Sequence, residues 1–159
     1  MTNLCCNVLN ILHGKTLATA ESCTGGWIGK ALTCIPGSSA IYKGGIISYT
    51  NFVKQHVLNV DSVVLDKFGA VSKETATDMA KGVRNLLQTD VAVSVTGLAG
   101  PGGDEFNHKV GTVYIACATE QDLTVREYHF CGDREEVRSQ AVKAALELIL
   151  ICMQKEPAD

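Results

Sequence analysis

Proline is scarce in this chain, with three residues among 159, whereas glycine occurs 15 times. Basic excess is also missing: 14 Lys and Arg face 17 Asp and Glu, for a net charge of −3. With a sequence pI of about 5.8, the chain carries no electrostatic footprint for nucleic acid. No apolar run approaches the roughly 20 residues of a membrane span. Met1–Asn10 lacks a basic stretch and its apolar residues are interrupted, so no secretory leader is expected. Seven cysteines are present, but no C-x-x-C pair, which removes zinc-ligand and thioredoxin-type spacings. Most of them read as small core residues of a reduced, cytoplasmic protein, and neither metal nor cofactor is expected.

What is present is ordinary globular material, 46% apolar and 19% charged, which excludes disorder and fibrous repeats. A prior of about 150 residues per domain makes residues 1–159 one domain. Most glycines fall in short clusters. Clustered glycine lets backbone amides approach a ligand, so the first expectation is a small-molecule site.

Periodicity predicts a short helix around Val8–Leu12 and a small-residue strand over Thr16–Ala20. A helix then carries Trp27, Ile28, Ala31 and Leu32. Ile41–Tyr49 reads as a strand with a bulge or close approach at Gly44-Gly45. Asn51 is expected to cap a helix to Leu58. Ser72 is expected to cap another to Leu87, with Ala76, Met79, Ala80, Val83, Leu86 and Leu87 inward. Val91–Val95 is a buried strand, and Val110–Ala118 with Thr124–Phe130 forms a hairpin. Asp133 and Glu136 resemble a capping box opening a last helix to about Met153. Alternating strands and helices predict an α/β layered domain.

Three polar segments fall at predicted strand ends, where open α/β sheets bind ligands. In the first, Ser22 precedes Cys23, Thr24, Gly25 and Gly26 at a helix start, whose amides favour an anion or a developing oxyanion. This reads either as a nucleophile beside its own oxyanion hole or as a simple serine cap. The second runs from Ser48 to Lys54. A serine needs a base, and none of His13, His56, His108 and His129 lies in a motif with an acidic partner. Lys54 with a lowered pKa is the alternative base, and Tyr49 can relay or orient the proton. The third, Thr96 to Gly103, holds four glycines but no Walker lysine and no G-x-G-x-x-G spacing. It can still cradle phosphate on its amides, with Thr96, Gly97 and Gly100 best placed to touch substrate. Arg134 and Arg138 begin the last helix, where cations oppose the helix dipole unless an anion holds them. Phosphate or a neighbouring glutamate serves equally well.

In order, Thr19-Ala20-Glu21-Ser22-Cys23-Thr24-Gly25-Gly26, Pro36-Gly37-Ser38-Ser39-Ala40, Tyr49-Thr50-Asn51-x-x-Lys54, Gly69-Ala70-Val71-Ser72, the Val95–Gly103 loop, Val110-Gly111-Thr112-Val113 and Gly132-Asp133-Arg134 resemble one family. It is the CinA C-terminal domain family, in its stand-alone PncC-type nicotinamide-nucleotide amidase form, and the resemblance runs from about Gly14 to Leu150. The resemblance implies a three-layer α/β/α fold with a mixed sheet and a homo-oligomer, dimer or higher. It also implies deamidation of nicotinamide mononucleotide to nicotinate mononucleotide and ammonia, in pyridine-nucleotide recycling, without metal or cofactor. The family's nucleophile falls on Ser22, its tyrosine on Tyr49 and its lysine on Lys54. Its remaining substrate contacts fall on Ser39, on Thr96 and on Arg134 or Arg138. The chain departs at Thr50, where serine is usual, and at His108-Lys109, where Lys-Pro is common. The molybdopterin-binding-like domain of full-length relatives is not in this sequence. Two other functions stay open: a phosphotransferase, which the missing lysine-bearing phosphate loop disfavours, and a nucleotide-binding or competence- and damage-linked module without turnover.

Overall fold

The computed structural model describes residues 1–155, and the last four residues of the expected 1–159 domain lie outside them. Five strands form one mixed sheet in the order β2-β1-β3-β4-β5. They are β1 Leu17–Glu21, β2 Tyr42–Ile47, β3 Val91–Gly97, β4 Thr112–Ala118 and β5 Leu123–His129. β1 runs parallel to both β2 and β3, whereas β4 and β5 are antiparallel additions. The C-terminal ends of β1, β2 and β3 therefore share one edge, and the three polar segments leave the sheet there.

Helices cover both faces. α1 (Thr2–Ile11), α2 (Trp27–Thr33) and α6 (Arg134–Lys155) pack on one side. α3 (Asn51–Leu58), α4 (Ser62–Phe68) and α5 (Lys73–Leu87) lie on the other. This is the expected α/β/α arrangement. The two faces of the sheet differ in bulk, and that difference follows from the two-residue alternation of strands. Leu17, Val91, Val93, Val95, Val113 and Ile115 fill the α1/α2/α6 side. Ala18, Ala20, Ala92, Ala116 and Ala118 face α5 and let it sit close. Ser94 joins that small-residue face and donates its hydroxyl to the Ala76 carbonyl.

Several local expectations shift. α3 is capped by Thr50, whose hydroxyl accepts from the Val53 amide, and not by Asn51. Leu86 is half exposed, not inward. The short helix α4, capped by Asp61, went unforeseen. α2 begins at Trp27, after Gly25 and Gly26 take left-handed φ values of 60° and 93°. The residues after Ser22 therefore form a turn and not a helical one. Gly44 and Gly45 behave as anticipated. The β1–β2 register skips Lys43, and a side chain at Gly45 would collide with Thr19. Ser72 caps α5 through the Thr75 amide. Asp133 and Glu136 bond each other's backbone amides at 2.9 and 2.7 Å, a reciprocal capping box.

Candidate active site

Ser22 leaves β1 still tied to the sheet: its amide donates to the Val95 carbonyl at 2.9 Å. Across from it, the Ser48 amide donates to Glu21 O at 2.8 Å, extending the β1–β2 pairing to the start of the second loop. α3 follows at once, and its second turn carries Lys54. Lys54 is 1% exposed. It donates to Ser22 Oγ at 2.9 Å and to the Ser48 carbonyl at 2.7 Å, and no carboxylate pairs with it among the described residues. Burial without a counter-ion disfavours the cation, which lowers the Lys54 pKa from 10.5 to about 8, the Cys23 thiol opposing this only in part. A lysine that loses its proton near neutrality, in hydrogen-bond contact with a serine, is a base positioned on a nucleophile.

The neighbouring Cys23 is held in the opposite condition. Burial raises its thiol to about 11, against smaller lowering effects of its own amide, Lys54 and Arg138. A thiol so rarely ionised is a poor nucleophile.

These groups open on a cavity of about 560 Å³ at the carboxyl ends of the parallel strands, a size typical of small-molecule sites. Ser22, Cys23, Tyr49, Lys54, Thr96, Gly97, Gly100 and Arg134 all line it. Tyr49 stands at the rim, 59% exposed. Its phenol oxygen accepts from Arg134 Nη2 at 3.0 Å and bonds neither Ser22 nor Lys54, so the lysine reaches the serine directly and not through a tyrosine relay. Arg134 also donates to the Gly100 carbonyl at 2.6 Å, joining the glycine loop to the second segment. The Thr96 hydroxyl donates to Ala70 O at 2.6 Å, leaving its oxygen as an acceptor only.

Four expected substrate contacts lie away from the cavity wall. Thr24 is fully buried, and Gly25 sits against the Arg138 guanidinium. Ser39 belongs to a 3-10 turn, Ser38–Ala40, behind β2. Arg138 turns inward, donating to the carbonyls of Cys23 and Thr24 at 2.9 and 3.1 Å and lying over the Trp27 ring.

Residues the sequence reading missed complete the wall. Asp104, Glu105 and Phe106 face the cavity from the glycine loop, as do Ala70 and Val71 from the turn before α5. Glu21 escaped notice as well. The residue is 2% exposed, and its carboxylate accepts from the amides of Gly26, Ile28 and Gly29 at 3.0, 3.1 and 2.9 Å. The amides that open α2 are thus occupied, and of the Cys23, Thr24 and Gly25 amides expected to favour an anion, that of Gly25 donates internally to the Ser22 carbonyl. The signal was visible in the sequence: an acidic residue shortly before a helix start is a favourable partner for the positive end of the dipole.

Among the described residues, no group of three His, Cys, Asp or Glu is arranged to hold a metal ion. No helix there is long and apolar enough to cross a membrane.

The family model for the CinA C-terminal domain matches residues 3–153. A CinA-like protein of Syntrophomonas wolfei is 46% identical over 136 residues, covering 86% of this chain and 33% of its own. A CinA-like protein of Geotalea uraniireducens is 50% identical over 125 residues, 79% of this chain and 30% of its own. The chain spans about a third of the length of these curated relatives. Among solved structures, the competence/damage inducible protein CihA of Agrobacterium tumefaciens superposes with a TM-score of 0.91 at 39% identity, covering 97% of this chain and 95% of that one. A CinA superfamily protein of Klebsiella pneumoniae does so with a TM-score of 0.95 at 32% identity, covering 98% of both chains.

Proposed function

The chain belongs to the CinA C-terminal domain family, and from that premise we propose that it is an amidohydrolase acting on the carboxamide of nicotinamide mononucleotide. The observation that carries this reading is the buried, carboxylate-free Lys54 ammonium 2.9 Å from Ser22 Oγ at the edge of a cavity of about 560 Å³. Neutral Lys54 takes the hydroxyl proton as Ser22 Oγ attacks the carboxamide carbon. The tetrahedral adduct collapses when Lys54 returns that proton to the departing nitrogen, releasing ammonia and leaving an acyl-enzyme. Water, deprotonated by the same lysine, then attacks the ester and frees the carboxylate product and Ser22.

Arg134, Tyr49 and the glycine-loop amides form the end of the cavity suited to a phosphate, with the guanidinium as the cationic partner. Ser39 and Arg138, which lie off the cavity, act on the substrate only indirectly in this scheme. A second copy of the chain is the proposed partner in a homo-oligomer.

Ammonia release from nicotinamide mononucleotide, nicotinamide and the dinucleotide tests the reading, with wild type, Ser22→Ala and Lys54→Ala compared. Turnover of the mononucleotide, lost by at least about 10³-fold in each variant, is the expected result. Turnover of free nicotinamide alone would remove the nucleotide from the proposal. Tight binding of the mononucleotide without turnover would convert the site into a nucleotide-binding module.

A further inference from the structure

The charged residues of the cavity wall are of both signs, Lys54 and Arg134 against Asp104 and Glu105. Arg134 donates to the Gly100 carbonyl and the Tyr49 phenol, so this cation lies against the first half of the glycine loop. The two acidic residues belong to the second half, directly before Phe106, which also lines the cavity. Phe106 is seated on the turn before α5. Gly69 of that turn has a φ of 77°, and a Cβ there would collide with the Phe106 ring. The next residue, Ala70, accepts the Thr96 hydroxyl, and the residue before Thr96 accepts the Ser22 amide on its carbonyl. A line of contacts thus runs from the Phe106 ring through the end of β3 to the nucleophile.

The two carboxylates differ in what holds them. Asp104 is clasped to the amide and Nδ1 of His108. Glu105 is exposed and has neither hydrogen bond nor ion pair among the described residues. A wall of this kind is poorly matched to a plain phosphate ester, which uses Arg134 and meets carboxylates that repel it. A zwitterion satisfies both parts, with its anion on Arg134 and a cation against the acidic residues and the aromatic ring. The face of an aromatic ring attracts a cation through its quadrupole. A pyridine ring bonded to a sugar through its nitrogen is such a cation at every pH, and it is planar enough to stack. Charged Lys54 repels a second cation in the same cavity, and the acidic pair offsets that repulsion.

We propose that Phe106, with Glu105 and Asp104 beside it, is a specificity determinant that reads ring charge: the cavity selects a quaternised pyridinium over the same ring without charge. This rests on the amidase reading, which puts the carboxamide at Ser22 and the phosphate at Arg134. The charged ring nitrogen then lies between those two points. Free nicotinamide, neutral at neutral pH and lacking the phosphate, satisfies neither part of the wall.

Binding to Ser22→Ala protein tests this without turnover. The two ligands are nicotinamide mononucleotide and its 1,4-dihydro form, which keeps the carboxamide, sugar and phosphate but has an uncharged ring. Calorimetric titration is expected to show the charged form bound about tenfold more tightly. Adding Glu105→Gln is expected to weaken the charged form about threefold and to leave the dihydro form within about twofold. Adding Phe106→Leu should likewise reduce the preference to about threefold or less. Equal affinities for the two forms in Ser22→Ala protein overturn the proposal. So does an equal loss of both forms in the two added variants, since that is the mark of packing alone. Glu105→Gln changes an exposed residue and keeps its shape, so it decides the matter if the Phe106 variant does not fold. Ammonia release by wild type together with equal affinities overturns charge selection and leaves the amidase reading. A preference for the charged form without ammonia release does the reverse, and binding of neither form overturns both.

Discussion

Lys54 Nζ and Ser22 Oγ, 32 residues apart in the chain, meet at 2.9 Å in a site where the lysine's one other acceptor is the Ser48 carbonyl. The pairing depends on two adjacent parallel strands ending at the same level. β1 delivers the serine one residue past its last register position, Glu21, and β2 hands the chain to α3, whose second turn carries Lys54 to that serine. Among the described residues no carboxylate enters the arrangement, so the ammonium is desolvated without a counter-ion.

That imbalance sets the pH dependence. The active form is neutral Lys54, and its pKa of about 8 leaves roughly a tenth of the free protein in that form at pH 7. On the amidase reading, kcat/KM should rise about tenfold per pH unit below 7, bend near 8 and level off above about 9. Initial rates at low substrate across pH 6 to 10 measure this curve. A profile flat from pH 6 to 9 would show that no lysine proton has to leave before attack.

The same burial has an opposite signature in stability. In the unfolded chain the lysine stays charged up to about 10.5, whereas in the fold it discharges near 8. Below pH 8 both states are protonated and the fold carries the full penalty, equivalent to roughly 3 kcal/mol. Between 8 and 10.5 the unfolded state binds the extra proton, so wild-type stability rises with pH. Lys54→Met removes the penalty but leaves the Ser48 carbonyl unpaired, a cost of about 1–3 kcal/mol. The net expectation is a Tm higher by about 2–4 °C at pH 7, with the advantage shrinking toward pH 10. Thermal melts of both proteins at pH 7 and 9.5 check the sign. A variant less stable at pH 7 would refute the desolvation argument.

Cys23 is the residue next to the nucleophile and a nucleophile by type, but burial raises its thiol to about 11. Iodoacetamide at pH 8 should modify exposed Cys34 and Cys131 far faster than Cys23 in the native protein. Cys23→Ala should keep activity within about tenfold of wild type, since the Ser22–Lys54 hydrogen bond does not involve the thiol. Peptide mapping after a short alkylation pulse reads the first expectation. Loss of all turnover in Cys23→Ala would return the thiol to the chemistry.

The architecture was legible because it is written in short-range pattern: strand residues β-branched on one face and small on the other, Ser72 and Asp133 as caps, and glycine at each tight turn. The fates of Lys54, Glu21 and Arg138 were not legible in that way. A lysine in a polar, aromatic-containing segment reads equally as a surface group. Only the juxtaposition of β1 and β2 makes it the most deeply buried cation of the site. Arg138 sits one turn after Arg134, so the two look interchangeable in sequence. Their carbonyl partners differ, Gly100 for one and Cys23 with Thr24 for the other, and lie on two different loops. Tyr49 was placed at the site by its proximity to Lys54 in sequence, but its phenol points to Arg134 at the rim.

The departure at His108-Lys109, where a rigid Lys-Pro is common in the family this chain resembles, has a local substitute. Asp104 accepts from the His108 amide at 2.9 Å, and its second oxygen lies 2.7 Å from His108 Nδ1, so one carboxylate spans the turn that a proline would otherwise stiffen. These contacts hold the Asp104 carboxyl below its usual range against the opposing effect of burial, and the clasp is therefore intact at neutral pH. Phe106, between the two residues, lines the cavity and packs against Gly69. Asp104→Ala should release both contacts, loosen Phe106 and widen the cavity mouth, while leaving Ser22 and Lys54 in place. The expected result is a KM for nicotinamide mononucleotide raised about three- to tenfold, of the order of 1 kcal/mol of binding, with kcat within about twofold. His108→Ala should do less, since the Asp104 contact to the backbone amide survives. Steady-state kinetics on the two variants distinguish this from a catalytic role, because a fall in kcat with unchanged KM would mean that the loop acts on the chemistry and not on binding.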